Sequence, residues 1–238
     1  MKSIEKIFTD FTDPTLLPPV GSSGVLILSG GMDSVTLLHF LTKYRHCMMK
    51  TLSFDYGQKH TKELEYAKVN CDELGVEHHI VELPFMGSLF KSALLSGGSD
   101  IPDGHYAEDS MKQTVVPNRN MIMSSIAVGF GQSHGLEFLS LGVHAGDHAI
   151  YPDCRAEFVD AFRKSVELSD WHSFTVFAPF QRMTKVEILE IGLQLDPPVD
   201  YAQTWTCYKG LERPCGSCGA CKERQEAFAT LEVKDASL

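Results

Sequence analysis

Two groups of residues in this chain have the types and spacing to do chemistry. The first is Ser29-Gly30-Gly31-Met32-Asp33-Ser34, which follows the apolar run Val25-Leu26-Ile27-Leu28 and leads into a helical pattern at Val35, Leu37, Leu38 and Leu41. A strand that turns tightly into a helix leaves the first backbone N–H groups unpaired, at the end where the helix dipole favours an anion. Gly30 and Gly31 let the main chain approach phosphate oxygens, and the hydroxyls of Ser29 and Ser34 add donors. The turn lacks the lysine of a Walker loop and the spacing of a dinucleotide fingerprint. Asp33 stands where phosphates would lie, so it must cap the helix or hold a Mg²⁺ that the phosphates share. The second group is Cys207-x7-Cys215-x2-Cys218-x2-Cys221, with Gly216 and Gly219 allowing the turns that converge four thiolates. Four sulfurs match a closed structural Zn²⁺ site, in which no water is activated. An iron–sulfur cluster is the rival; zinc is favoured because no Cys-Pro ending or further downstream cysteine accompanies the run.

Positioning these groups takes a sheet. From Gly24 onward strand and helix patterns alternate: strands near 25–28, 49–54, 77–83, 138–143 and 175–178, and helices near 32–44, 61–74, 118–133 and 155–168. A further helix opens on Thr184-Lys185-Val186-Glu187, a capping box. Gly75 stops the second helix at its C′ position. Repeated βα units with apolar strands predict an α/β fold, a doubly wound, mainly five-stranded parallel sheet of Rossmann-like type, followed by a small C-terminal zinc-binding segment. The reading divides the chain into an N-terminal extension (1–23), the α/β domain (24–195) and the cysteine segment with its helix (196–238). Ligands bind such sheets outside the carboxyl ends of the strands. That rule selects the glycine turn, the loop Asp55–His60 and the loop His144–Arg155. His60, His144 and His148 there are possible general bases, each equally a loop histidine with a satisfied hydrogen bond. Cys154 is read as a lining or structural thiol ahead of a nucleophile. The stretch of about twenty residues from Ser96 to Val116 reads as a lid.

The composition narrows the partners. At 238 residues with 43% hydrophobic content the chain can bury one substantial core. No apolar run reaches the length of a membrane span, and the start, with Glu5, Asp10 and Asp13, lacks the apolar stretch of a secretory signal. A net charge of −10 argues against an extended nucleic-acid surface and for small-molecule chemistry in a locally positive pocket. The seven cysteines suit a reducing compartment and a metal, so a cytoplasmic location is expected. Ile4, Ile7, Phe8 and Phe11 could form a short amphipathic helix before Pro14, Pro18 and Pro19 break regular structure; it would pack on the main domain or on a partner subunit.

The glycine turn resembles the pyrophosphate loop of the ATP pyrophosphatases. With Phe54-Asp55-Tyr56-Gly57-Gln58, Val116-Pro117-Asn118-Arg119-Asn120, Tyr151-Pro152-Asp153-Cys154-Arg155 and Thr206-Cys207-Tyr208, the chain over 24–232 is similar to the 7-cyano-7-deazaguanine synthases. It departs from their pattern at Asn118, where members commonly carry Gly, and at Ala149-Ile150, where they carry Ser-Gly. The resemblance implies adenylation of 7-carboxy-7-deazaguanine by ATP, capture by ammonia as an amide, and dehydration to the nitrile. It also implies a homodimer. Leu28, Ser29, Gly30, Gly31, Met32, Asp33 and Ser34 would hold ATP phosphates with Mg²⁺, and Phe54 and Asp55 would border adenine and ribose. Asp33, Arg119 and Lys185 would be the catalytic group, the two cations serving phosphate or developing charge. Asp147, Tyr151, Asp153 and Arg155 would bind the deazaguanine. The alternatives are another adenylating enzyme, such as a tRNA thiolase, or a non-catalytic zinc-bearing module.

Overall fold

The computed structural model describes residues 2–12, 16–105 and 108–237; Asp13, Pro14 and part of the expected lid lie outside them. Five parallel strands form one sheet: β1 (Ser23–Ile27), β2 (Met48–Asp55), β3 (Glu77–Glu82), β4 (Phe138–Ser140) and β5 (Thr175–Phe177). Their order is β3-β2-β1-β4-β5. The chain therefore builds outward from β1 in one direction and then returns to its other side, which opens a crevice between the carboxyl ends of β1 and β4. Successive residues of β1 serve opposite faces: Val25 belongs to one core cluster and Leu26 to the other.

One face carries α2 (Met32–His39), α7 (Lys185–Gln194) and α8 (Gly219–Thr230), and the other carries α5 (Arg119–Ser133) and α6 (Ala156–Glu167). α3 (Lys62–Leu74) packs against β2 and ends on Gly75, whose φ of 64° is the left-handed stop its position predicts. The helix expected to run from 32 to 44 is α-helical only through His39; Phe40–Tyr44 widens to a π-helix. The capping box of α7 is present, with Thr184 N–H donating to Glu187 Oε2 at 2.8 Å. Within the N-terminal segment, α1 (Ile4–Phe11) packs on α7 and on the end of the helix after β1. Ile4, Ile7 and Phe8 are buried, and Phe8 stacks on Phe40 at 4.6 Å. Burial of such side chains contributes about 1.5–3 kcal/mol each.

Three differences from the sequence reading concern the site. β4 stops at Ser140, three residues early, because Leu141, Gly142 and Val143 peel away to line the crevice. The C-terminal helix, which the sequence places near Glu223–Leu231, begins at Gly219, so Cys218 is its N-cap and Cys221 lies in its first turn. The expected lid is preceded by a short helix, α4 (Pro84–Leu89), and is tied down where it is described. Lys59 Nζ donates to Gly98 O and Ser99 O at 3.0 and 2.7 Å, and Lys209 Nζ pairs with Asp103 at 2.6 Å.

Candidate active site

The glycine turn sits at the mouth of the crevice, between β1 and α2. Gly30 has φ +79°, and a Cβ there would stand 2.0 Å from the carbonyl oxygen of Glu63, so only glycine lets α3 close on the turn. Gly31 is the N-cap of α2 and supplies no side-chain acceptor, which leaves the first N–H groups of the helix to a ligand. Ser29 and Ser34 brace the turn, their hydroxyls 3.0 Å apart, with Ser29 N–H donating to Ser34 Oγ at 3.2 Å. Met32 is wholly buried under the turn and serves the core.

Asp33 does not cap the helix. Its Oδ2 accepts from Lys185 Nζ at 2.6 Å, while Oδ1 is buried with no hydrogen-bond partner. Lys185, only 5% exposed, also lies 3.4 Å from Glu223 and 3.4 Å from His144 Nε2. Gly146 N–H donates to His144 Nδ1, so Nε2 faces Asp33 at 3.6 Å and Asp147 at 3.7 Å. Burial alone would raise the Asp33 pKa; the Lys185 charge overcomes it and holds the carboxyl below the usual carboxylate value. Burial likewise opposes the charge on Lys185, and Asp33 and Glu223 overcome it to raise its pKa. Both groups are therefore ionised across the physiological range.

Across the crevice, Arg119 is the first residue of α5 and has different company. It lies over the rings of Tyr56 and Tyr151 at 6.0 and 5.8 Å and donates to Tyr56 OH at 3.3 Å. No carboxylate pairs with it among the described residues. Asn118, just before it, adopts φ +59°, a left-handed conformation that Asn tolerates better than other non-glycine residues. The departure from the glycine pattern thus keeps the backbone that aims Arg119.

A cavity of about 220 Å³ joins the two sides. Its wall includes Leu28, Ser29, Asp33, Ser34, Phe54, Arg119, Asp147 and Tyr151. Asp55 lies at the end of β2 and accepts from Gly57 N–H at 3.3 Å. Of the expected site residues, Gly30, Gly31, Met32, Asp55, Asp153, Arg155 and Lys185 are not on the wall, and Lys185 meets it only through Asp33. Asp153 Oδ2 accepts from Asn120 N–H at 3.1 Å and so caps α5, and Arg155 is exposed, with Nε donating to His148 O at 3.0 Å. Cys154 lines the cavity, and burial, with the charges of Asp147 and Asp153, pushes its thiol well above the ordinary value. A protonated thiol is a poor nucleophile. Tyr56, His60, Glu63, Asn120 and Tyr208 also line the wall, and Glu223 reaches Lys185 from α8. Tyr56, His60, Asn120 and Tyr208 lie in the quoted motifs, whereas Glu223 carries no motif that marks it.

The four cysteines converge, with Sγ atoms of Cys207, Cys215, Cys218 and Cys221 all within 4.8 Å of one another. Hydrogen bonds from Cys218 and Cys221 lower the Cys207 pKa, and its thiolate raises theirs, that of Cys218 to about 12. Crowded sulfurs resist a second and third charge unless a cation joins them. The donor set and its convergence fit a structural metal.

A family model described as "Queuosine biosynthesis protein QueC" matches residues 23–232. The chain belongs to the QueC family. The 7-cyano-7-deazaguanine synthase of Caldicellulosiruptor saccharolyticus is 51% identical over 89% of this chain and 92% of its own length. The synthase of Methanoregula boonei is 50% identical over 89% and 96%. Among solved structures, the NMN synthetase of Francisella tularensis covers 97% of this chain and 85% of its own, with a TM-score of 0.53 at 14% identity. The U34-tRNA thiolase NcsA of Methanococcus maripaludis covers 96% and 70%, with a TM-score of 0.51 at 17% identity. These two share the fold. No helix among the described residues is long and apolar enough to cross a membrane.

Proposed function

We propose that this chain converts 7-carboxy-7-deazaguanine, ATP and ammonia into 7-cyano-7-deazaguanine, the nitrile that serves queuosine biosynthesis. The observation that carries the reading is Arg119, which has no carboxylate partner among the described residues and is held by tyrosine rings on the same cavity wall as Ser29, Asp33 and Ser34 of the turn. A cation without a carboxylate partner suits an anionic substrate, and the turn opposite suits ATP phosphates.

A carboxylate is a poor electrophile because its oxygen leaves poorly. Its attack on the α-phosphorus of ATP expels pyrophosphate and gives an acyl adenylate. Ammonia then adds, AMP departs, and an amide remains. A second ATP then adenylates the amide oxygen with loss of pyrophosphate, and departure of that oxygen on AMP, with both protons lost from the nitrogen, leaves the nitrile. The protein contributes position and charge stabilisation more than a nucleophile. Leu28–Ser34 cradle the phosphates, and Phe54 and Asp55 border adenine and ribose. Arg119 and Lys185 stabilise charge on the transferring groups. Asp147 and Tyr151 contact the deazaguanine, while Asp153 acts through the α5 cap and Arg155 steers the substrate carboxylate from outside. Asp33 Oδ1, buried and without a donor, can offer an oxygen to Mg²⁺, which would neutralise phosphate charge. The cysteine metal is one structural Zn²⁺ per chain, and its filled coordination shell keeps it out of the chemistry. Metal analysis should find one zinc; a brown protein absorbing in the visible would contradict this. The assembly is a cytoplasmic homodimer, testable by light scattering on the purified protein.

The test is mass analysis of products from the three substrates, with AMP and ADP measured together. Nitrile formation with AMP release supports the reading. Adenylation of another acceptor, with no turnover of the carboxylated deazaguanine, overturns it.

A further inference from the structure

The cysteine segment reaches the phosphate turn at two points. Trp205 N–H donates to Gly30 O at 2.9 Å, in the middle of the turn. Glu223, two residues after Cys221 on α8, stands 3.4 Å from Lys185 Nζ. The loop after β4 is shaped to admit that carboxylate: a Cβ on Gly146 would lie 2.0 Å from Glu223 Oε1. Lys185 is thus gripped from two elements, by Asp33 on α2 and Glu223 on α8, and its ammonium cannot collapse wholly onto either. Two of the four converging sulfurs belong to the start of α8: Cys218 is its N-cap residue and Cys221 lies in its first turn, so whatever joins the sulfurs also holds that end of the helix.

We propose that Glu223 is a positioning residue for ATP use, which transmits the order of the four-cysteine centre to Lys185 while Trp205 transmits it to the Gly30 turn. The centre then serves the reaction without touching it, by fixing where the lysine and the turn present their N–H groups to phosphate. This rests on the reading that the turn binds ATP, but not on the identity of the acceptor.

The two tryptophans supply a probe. Trp171 is fully exposed and Trp205 is buried against Tyr66 with Lys62 above it, so Trp171→Phe leaves a single reporter at the joint. In that background, titration with a non-hydrolysable ATP analogue should change Trp205 emission. Glu223→Gln should weaken the analogue and lower kcat/KM for ATP by roughly tenfold, with KM for the deazaguanine within about twofold, one metal per chain and an unaltered melting temperature. Glu223→Asp should recover part of the loss. Gly146→Ala, which keeps the carboxylate but displaces it, should give the same ATP defect. Removing the metal from the Trp171→Phe protein should weaken the analogue as well. Unchanged analogue binding in Glu223→Gln overturns the proposal. So does a loss spread equally over both substrates with loss of metal or of thermal stability, which would make Glu223 a residue of the fold. If the analogue binds as described but no nitrile forms in the wild type, the acceptor reading fails and the positioning role stands.

Discussion

The two cations of the site are held in opposite ways: Arg119 is on the cavity wall, and Lys185 lies off it, paired with the wall residue Asp33. Lys185 is buried among Asp33, Glu223 and His144, and its charge is largely spent on carboxylates of the protein. Arg119 is held by the faces of Tyr56 and Tyr151, which fix its plane without neutralising it. Loss of Lys185 should therefore be felt first in stability, and loss of Arg119 first in turnover.

The largest effect is expected at Lys185. Lys185→Met strands the buried Asp33 and should destabilise the fold by about 3–5 kcal/mol, read as a lowered denaturation midpoint; the double variant with Asp33→Asn should recover much of it. If the single variant is as stable as the wild type, the buried pair does not hold the turn. Next comes Arg119→Met, which should lower kcat/KM by roughly 10²–10³ with little change in stability, while Arg119→Lys restores only part because an ammonium lacks the planar fork. A stability loss as large as that at Lys185 would erase the contrast.

The contrast also has a pH signature. Asp33 titrates below its reference value of 3.8, so its contribution is complete above that value and is lost as pH falls through the lower folded value. Lys185 titrates above 10.5, so its contribution is complete below that value and is lost as pH rises through the higher folded value. The stability difference between the wild type and the Asp33→Asn, Lys185→Met double variant should therefore be flat from about pH 5 to 9. A slope within that window would mean that another group titrates with the pair. The smallest effect is expected at Cys154. Its thiol is protonated by burial, so Cys154→Ala should keep activity within about threefold and the wild type should resist alkylation at neutral pH. Loss of turnover would instead give the thiol a chemical role.

How much of this was legible in the sequence follows from range. The glycine turn and the cysteine run are local strings, and their chemistry is readable because each residue's partners lie within a few positions. The βα alternation gave the five parallel strands for the same reason. The pairing of Asp33 with Lys185 spans 152 residues and depends on how α7 crosses α2, which no local pattern encodes. Glu223 looked like one more charged residue on a C-terminal helix. The roles expected of Asp153 and Arg155 came from a motif, and motif proximity does not say which side chain faces the cavity; Asp153 turned back to cap α5. The apolar Leu141 and Val143 continue the strand pattern of β4 past its end, yet they serve the cavity wall and not the sheet.

The central claim is that the cavity between the Ser29–Ser34 turn and Arg119 joins ATP to a carboxylated deazaguanine. It is tested most directly by incubating the purified chain with 7-carboxy-7-deazaguanine, ATP, Mg²⁺ and ¹⁵N-ammonium, and following the deazapurine by mass. The account predicts a labelled amide that gives way to a labelled nitrile, with AMP released. No label in the deazapurine, together with adenylation of a different acceptor, would contradict it.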